Sequence, residues 1–103
     1  MVKMTLLYGQ PKSPDAFEKY YAETHLPLAG RMQGVRKIEL SKVVATPDGG
    51  TPSCYRLADL YFDNLDQMKS VMDSPEGKAA VGDLPNFATG GVTVLISEIG
   101  LSQ

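Results

Sequence analysis

Cys54-Tyr55-Arg56-Leu57-Ala58-Asp59-Leu60-Tyr61-Phe62 is the stretch from which the architecture can be read. Successive side chains of an extended chain point to opposite faces. One face of this segment carries Tyr55, Leu57, Asp59 and Tyr61; the other carries Cys54, Arg56, Ala58, Leu60 and Phe62. Large apolar groups stand on both, so both faces of this strand are expected to be covered. Upstream, Thr46-Pro47-Asp48-Gly49-Gly50-Thr51-Pro52 is a loop by composition. It joins the strand to an antiparallel partner read over Val35–Ala45, with Ile38, Leu40 and Val44 on one face. Downstream, Asp63-Asn64-Leu65-Asp66-Gln67 opens a helix. Asn64 and Gln67 have capping-box spacing, and Leu65, Met68, Val71 and Met72 form the apolar stripe.

Working further outward, Val2–Tyr8 reads as the first strand, with Val2, Met4, Leu6 and Tyr8 on one face. Ser13-Pro14-Asp15 opens a helix: Ser13 caps it, proline suits the first helical position, and Asp15 complements the dipole. Phe17, Tyr20, Tyr21 and Thr24 follow at helical spacing, and Pro27 is expected to break the helix. Ser74-Pro75-Glu76 restarts the second helical region, Asp83-Leu84-Pro85-Asn86 ends it, and Val92–Ile99 is the last strand. The order is β-α-β-β-α-β, the ferredoxin-like pattern of the α+β class. Four antiparallel strands would carry the helices on one face. The other face would be bare, and a second copy of the chain would hide it. The expectation is a homodimer.

With 103 residues the chain is expected to be one domain. A fold this small buries only about 60–65% of its unfolded surface, a further reason to associate. A net charge of −2 without a basic stripe gives no reason to expect nucleic acid. No apolar run approaches the roughly 20 residues that span a bilayer, so no membrane partner is expected. The N-terminus does not read as a signal peptide, and the single cysteine, Cys54, excludes an internal disulfide framework. These features point to a cytoplasmic protein. One histidine and one cysteine leave no zinc-site spacing, and no glycine-rich phosphate loop is present.

The lone imidazole, His25, is the first candidate for acid/base chemistry, because its unperturbed pKa lies near physiological pH. Its alternative role is to cap the helix C-terminus. Asp59, a carboxylate within an apolar strand, needs a partner. It could orient His25 as a catalytic pair, or join Arg36 across strands; strand phase disfavours Arg56, three residues away. Tyr20 and Tyr21 could hydrogen-bond a ligand through their phenols or simply fill core. Arg31 could attract an anionic ligand or be a solvated surface arginine. Cys54 lacks a base or cation to activate it.

Three segments resemble the EthD family, named for ethyl tert-butyl ether degradation, within the dimeric α/β-barrel superfamily. They are Phe17-x-x-Tyr20-Tyr21-x-x-x-His25-x-Pro27-Leu28, Tyr55–Phe62, and Ser74-Pro75-Glu76-Gly77 followed by Asp83-Leu84-Pro85-Asn86-Phe87. The resemblance covers essentially all of residues 1–103. It implies a ferredoxin-like protomer whose sheet pairs with that of a second copy to form a barrel. Families similar in fold run cofactor-independent oxygenation, cyclisation, isomerisation and dehydration, and some use haem, so the fold does not choose a reaction. Where the family often has tryptophan after the first tyrosine of the helix motif, this chain has Tyr21. The expectation is a cleft near His25 that binds a small hydrophobic or aromatic molecule, with cofactor-free proton-transfer or oxygenation chemistry on it. A non-catalytic carrier of a degradation pathway is the rival reading, and haem handling the third.

Overall fold

A computed structural model describes residues 1–100. Strand β1 (Val2–Gly9) leads to helix α1 (Pro14–Tyr20), a π turn (Tyr21–His25) and the short α2 (Leu26–Ala29). Strands β2 (Lys37–Lys42) and β3 (Cys54–Phe62) follow, then α3 (Leu65–Asp73), α4 (Pro75–Asp83), a 3-10 turn (Leu84–Asn86) and β4 (Val92–Glu98). The four strands form one antiparallel sheet in the order β2-β3-β1-β4. This is the expected ferredoxin-like α+β arrangement.

Local chemistry places the helix starts where the sequence reading put them. Ser13 accepts the Ala16 amide, Asn64 accepts the Gln67 amide, and Ser74 accepts the Gly77 amide. Each cap satisfies one of the donors that a helix N-terminus leaves free. Gly77 is also required by space: a Cβ there would stand 2.2 Å from the Val71 carbonyl oxygen, so only glycine lets α4 start this close to α3.

Pro27 does not break the first helix as expected. The Leu26 amide bonds the Tyr21 carbonyl five residues back, and helix resumes through Leu26–Ala29. The wide turn ends just before the proline. Pro27 therefore falls in the first turn of the following α segment, where a missing N–H costs little. Strand β2 is shorter than the Val35–Ala45 read from sequence, covering Lys37–Lys42.

The core lies between the helices and the face of the sheet displaying Val2, Met4, Leu6 and Tyr8 with Ala58, Leu60 and Phe62. Phe62 and Tyr8 are the most deeply buried large side chains. An aromatic cluster of Tyr8, Phe17, Tyr21 and Phe87 packs at ring separations of 5.2–5.7 Å, with Tyr8–Phe17 and Phe17–Phe87 edge-to-face. Burial is concentrated on the two central strands. The edge strands β2 and β4 are exposed nearly throughout, including Ile38, Leu40, Val94, Leu95 and Ile96.

The opposite face of the sheet is less oily than a bare hydrophobic surface. Register places Leu7 beside Leu57 and Thr93, Thr5 beside Asp59 and Leu95, and Lys3 beside Tyr61 and Ser97. Glu39 and Lys37 extend the last two rows onto β2. The face thus grades from leucine at one end to lysines, acids and a phenol at the other.

Candidate functional site

His25 ends the π turn and is 5% exposed. Its Nδ1 lies 3.0 Å from Asp83 Oδ2. Asp83, the last residue of α4 and 7% exposed, also accepts from two donors on its other oxygen: the Tyr20 hydroxyl at 2.6 Å and Asn86 Nδ2 at 2.9 Å. Burial works against ionisation of Asp83. The hydrogen bonds from Tyr20, Asn86 and His25 outweigh it and hold the carboxyl below its ordinary range. An ionised carboxylate only accepts, so Nδ1 of the imidazole carries a proton. In the neutral ring the lone pair then sits on Nε2, which has no hydrogen-bond partner among the described residues.

The imidazole forms part of the wall of a cavity of ≈ 270 Å³ between the helices and the sheet. Its floor is the inner face of all four strands, including Leu6, Ile38, Leu60 and Val94, and its roof includes Leu26, Met72 and Leu84. No acidic side chain, lysine or arginine lines it; His25, Tyr8 and Tyr21 alone bring polar side-chain atoms. The π turn sets the Tyr21 and His25 rings nearly parallel, at 5.9 Å and 11°, and Phe87 lies 4.5 Å from the imidazole. The Tyr21 hydroxyl is buried without a hydrogen-bond partner, and burial pushes its pKa up to about 12. Below Tyr21 the Arg56 guanidinium sits 5.4 Å from its ring and grips Glu18 through two hydrogen bonds. That grip lowers the Glu18 carboxyl and removes the cation from service.

The structure sorts the residues singled out from sequence. His25 and Tyr21 meet at the cavity. Tyr20 stacks on Phe87 at 5.5 Å and reaches Asp83, acting behind the imidazole rather than in the cavity wall. Asp59 does not pair with His25. It shares its phase with Thr5 on the far face of the sheet, where the Thr5 hydroxyl donates to it at 2.5 Å and Lys3 stands at 3.9 Å. The cross-strand pair with Arg36 is also absent, because Arg36 donates to Asp63 at 2.6 Å. Arg31 is exposed and lies outside the cavity lining, near Gln67, Ser74 and Glu76. Asp83 and Asn86 take the place given to Asp59. A carboxylate in the last turn of a helix opposes the dipole, and that misfit beside Leu84-Pro85 was the available signal.

Fold and site together define a ferredoxin-like α+β protein with an apolar cavity and a carboxylate-anchored imidazole in its wall. Residues 9–91 match the EthD domain, and the chain belongs to the EthD family. It is 38% identical over 98 residues to an uncharacterised 11.0 kDa protein of the thcB–thcC intergenic region of Rhodococcus erythropolis, spanning 95% of this chain and 94% of that one. An EthD family protein from Bacillus halodurans C-125 superimposes with a TM-score of 0.91 at 33% identity, over 97% of this chain and 99% of that one. A dimeric protein of ferredoxin-like fold from Bacteroides fragilis gives a TM-score of 0.67 at 21% identity, over 95% of each chain. Among the described residues no helix is long and apolar enough to cross a membrane, and no group of three or more potential metal ligands occurs.

Proposed function

We propose that the protein binds a small hydrophobic molecule in the cavity and that His25 moves a proton on it. One observation carries this: Asp83 holds Nδ1, so the free nitrogen of a buried imidazole belongs to the wall of an otherwise apolar space. Ligand pockets commonly combine apolar walls with a few placed polar groups, over about 300–1,000 Å³. At ≈ 270 Å³ this one suits a small, compact ligand. Nε2 abstracts an acidic hydrogen, the ring becomes cationic, and Asp83 stabilises that charge. No cofactor is needed for such a step. A positioned base of this kind contributes typically 10²–10⁴-fold.

The test uses 2-tetralone, an apolar bicyclic ketone with acidic C–H groups, in deuterated water. The protein is expected to accelerate deuterium uptake at those carbons, followed by proton NMR, and His25→Asn is expected to lower the rate at least 100-fold with binding retained. Binding without acceleration would instead favour the carrier reading, which the near-absence of polar groups in the lining supports.

The proposal includes a homodimer. Its support is the exposed Leu95 and the leucine end of the far face, and the dimeric state named for the Bacteroides fragilis protein. The far face carries Lys3 and Lys37 against Glu39 and Asp59, so it is balanced in charge and suits a copy of itself. Sedimentation equilibrium at micromolar concentration is expected to give the dimer mass. The cytoplasm remains the proposed compartment, on the strength of the single unpaired cysteine.

A further inference from the structure

We infer that the ligand of this cavity is an uncharged apolar molecule that donates a hydrogen bond, through a phenolic or enolic hydroxyl, to His25 Nε2. The inference rests on the cavity being the binding site and goes further by fixing the chemical character of its occupant.

Three features of the site lead there. The first is charge. Seventeen residues line the cavity, and none is a lysine, an arginine or an acid. The nearest cation behind the aromatic wall, Arg56, is already bound to Glu18 at both ends of its fork. A carboxylate, sulfonate or phosphate placed here would have only the imidazole to face, which Asp83 already engages, and a poorly paired buried charge is strongly disfavoured. The second is the tautomer. Asp83 Oδ2 accepts from Nδ1, so in the neutral ring the lone pair falls to Nε2, on an imidazole that forms part of the cavity wall. A ligand ether oxygen would meet that lone pair with another, whereas a hydroxyl hydrogen would satisfy it; a ketone such as 2-tetralone offers it only an acidic C–H or, as the enol, a hydroxyl. The third is the device that keeps the tautomer in place. The Tyr20 hydroxyl and Asn86 Nδ2 both donate to Asp83 Oδ1. They hold that oxygen on their own side and leave Oδ2 for the imidazole. Tyr20 and Asn86 are therefore positioning residues, acting on the ligand through Asp83 and His25.

The same geometry predicts how to switch the preference. In Asp83→Asn the side chain has one oxygen and one NH₂. Two donors, Tyr20 and Asn86, face the Oδ1 position, so the amide oxygen turns to them and the NH₂ turns to Nδ1. Nδ1 then accepts, the ring proton moves to Nε2, and the cavity presents a donor in place of an acceptor.

The experiment measures affinities by calorimetry at neutral pH for three bicyclic probes: 2-naphthol, 2-methoxynaphthalene and naphthalene-2-carboxylate. The wild-type protein is expected to bind 2-naphthol at least ten-fold more tightly than the methyl ether, and the carboxylate not measurably. In Asp83→Asn the gap between naphthol and ether is expected to close to less than three-fold. His25→Leu, which removes the acceptor altogether and keeps an apolar wall, is expected to close it as well, should Asp83→Asn fold poorly. Val81→Trp, at the half-exposed rim of the cavity, is expected to weaken naphthol binding at least ten-fold by obstructing entry. If the ether equals the naphthol, or the carboxylate binds most tightly, while Val81→Trp still blocks binding, the hydroxyl-donor inference is overturned and the cavity stands as the binding site. If none of the probes binds, or binding ignores Val81→Trp, the cavity reading fails and this inference with it.

Discussion

Asp59 and Asp83 are both carboxylates with apolar neighbours in sequence, and their surroundings in space differ in every respect that decides a role. Asp83 is enclosed on the helix side of the sheet and receives hydrogen bonds from three side chains of different chemistry, one of them the imidazole at the cavity. Asp59 stands on the far face, receives the Thr5 hydroxyl, and has Lys3 at the edge of ion-pair range. The first carboxylate orients the imidazole in the cavity wall; the second ties two neighbouring strands together. Residue type and an apolar sequence context are alike at both sites. What separates them is which donors the fold brings to each, and on which side of the sheet.

Removing the acids outright should expose the difference most strongly. Asp83→Ala strands His25, Tyr20 and Asn86 without their common acceptor, and a loss of about 3–5 kcal/mol is expected in urea denaturation. Asp59→Ala is expected to cost less, about 1.5–3 kcal/mol, the value of a hydrogen bond to a charged group. Equal losses would dissolve the distinction drawn here. On rates the contrast should be sharper in kind: Asp83→Asn is expected to slow deuterium uptake by 2-tetralone at least ten-fold, because the base is left in the wrong tautomer, and Asp59→Asn to change it less than two-fold.

Acid gives a third comparison. The folded-state pKa of Asp83 lies below its ordinary value near 3.9. The stability it confers is then complete above that value and is lost as pH falls below it, through the folded-state pKa. The Tm difference between wild type and Asp83→Asn is expected to hold as pH is lowered from 6 to about 4.5 and to shrink from there to 2.5, by differential scanning fluorimetry. A difference that stays constant over that range would remove the charge of Asp83 from the account. A smaller effect tests the far face alone. Leu57→Lys is expected to shift the assembly towards monomer in sedimentation equilibrium while leaving 2-naphthol affinity within two-fold, since Leu57 stands on the side of the sheet away from the cavity.

The architecture was legible because local chemistry specifies it. Ser13, Asn64 and Ser74 announce helix starts through side chains that cap their own backbone, and the two-residue alternation of Val2–Tyr8 and Arg56–Phe62 assigns faces without any knowledge of partners; Tyr55, read onto the face of Leu57 and Asp59, instead packs on Phe17 in the core, because the pairing shifts register beside it. Two things were not legible in the same way. The π turn at Tyr21–His25 depends on a ladder shift of one residue, and Pro27 signals a stop whether or not the preceding turn has widened to accommodate it. The partner of His25 lies 58 residues away in the chain, on a different helix. Asp59 was the conspicuous acid because it interrupts an apolar strand, whereas Asp83 is marked only by the weaker misfit of an acid at a helix C-terminus. Only the packing of α4 against the first helical segment decides between them.

The chain contains a single histidine, so its cavity comes with a built-in spectroscopic probe. Nitrogen-15 labelling of that residue type alone yields just two ring resonances for the whole molecule. Their separation tells which nitrogen bears the proton, and each added compound or amino-acid replacement can be followed there in solution without resolving any other signal.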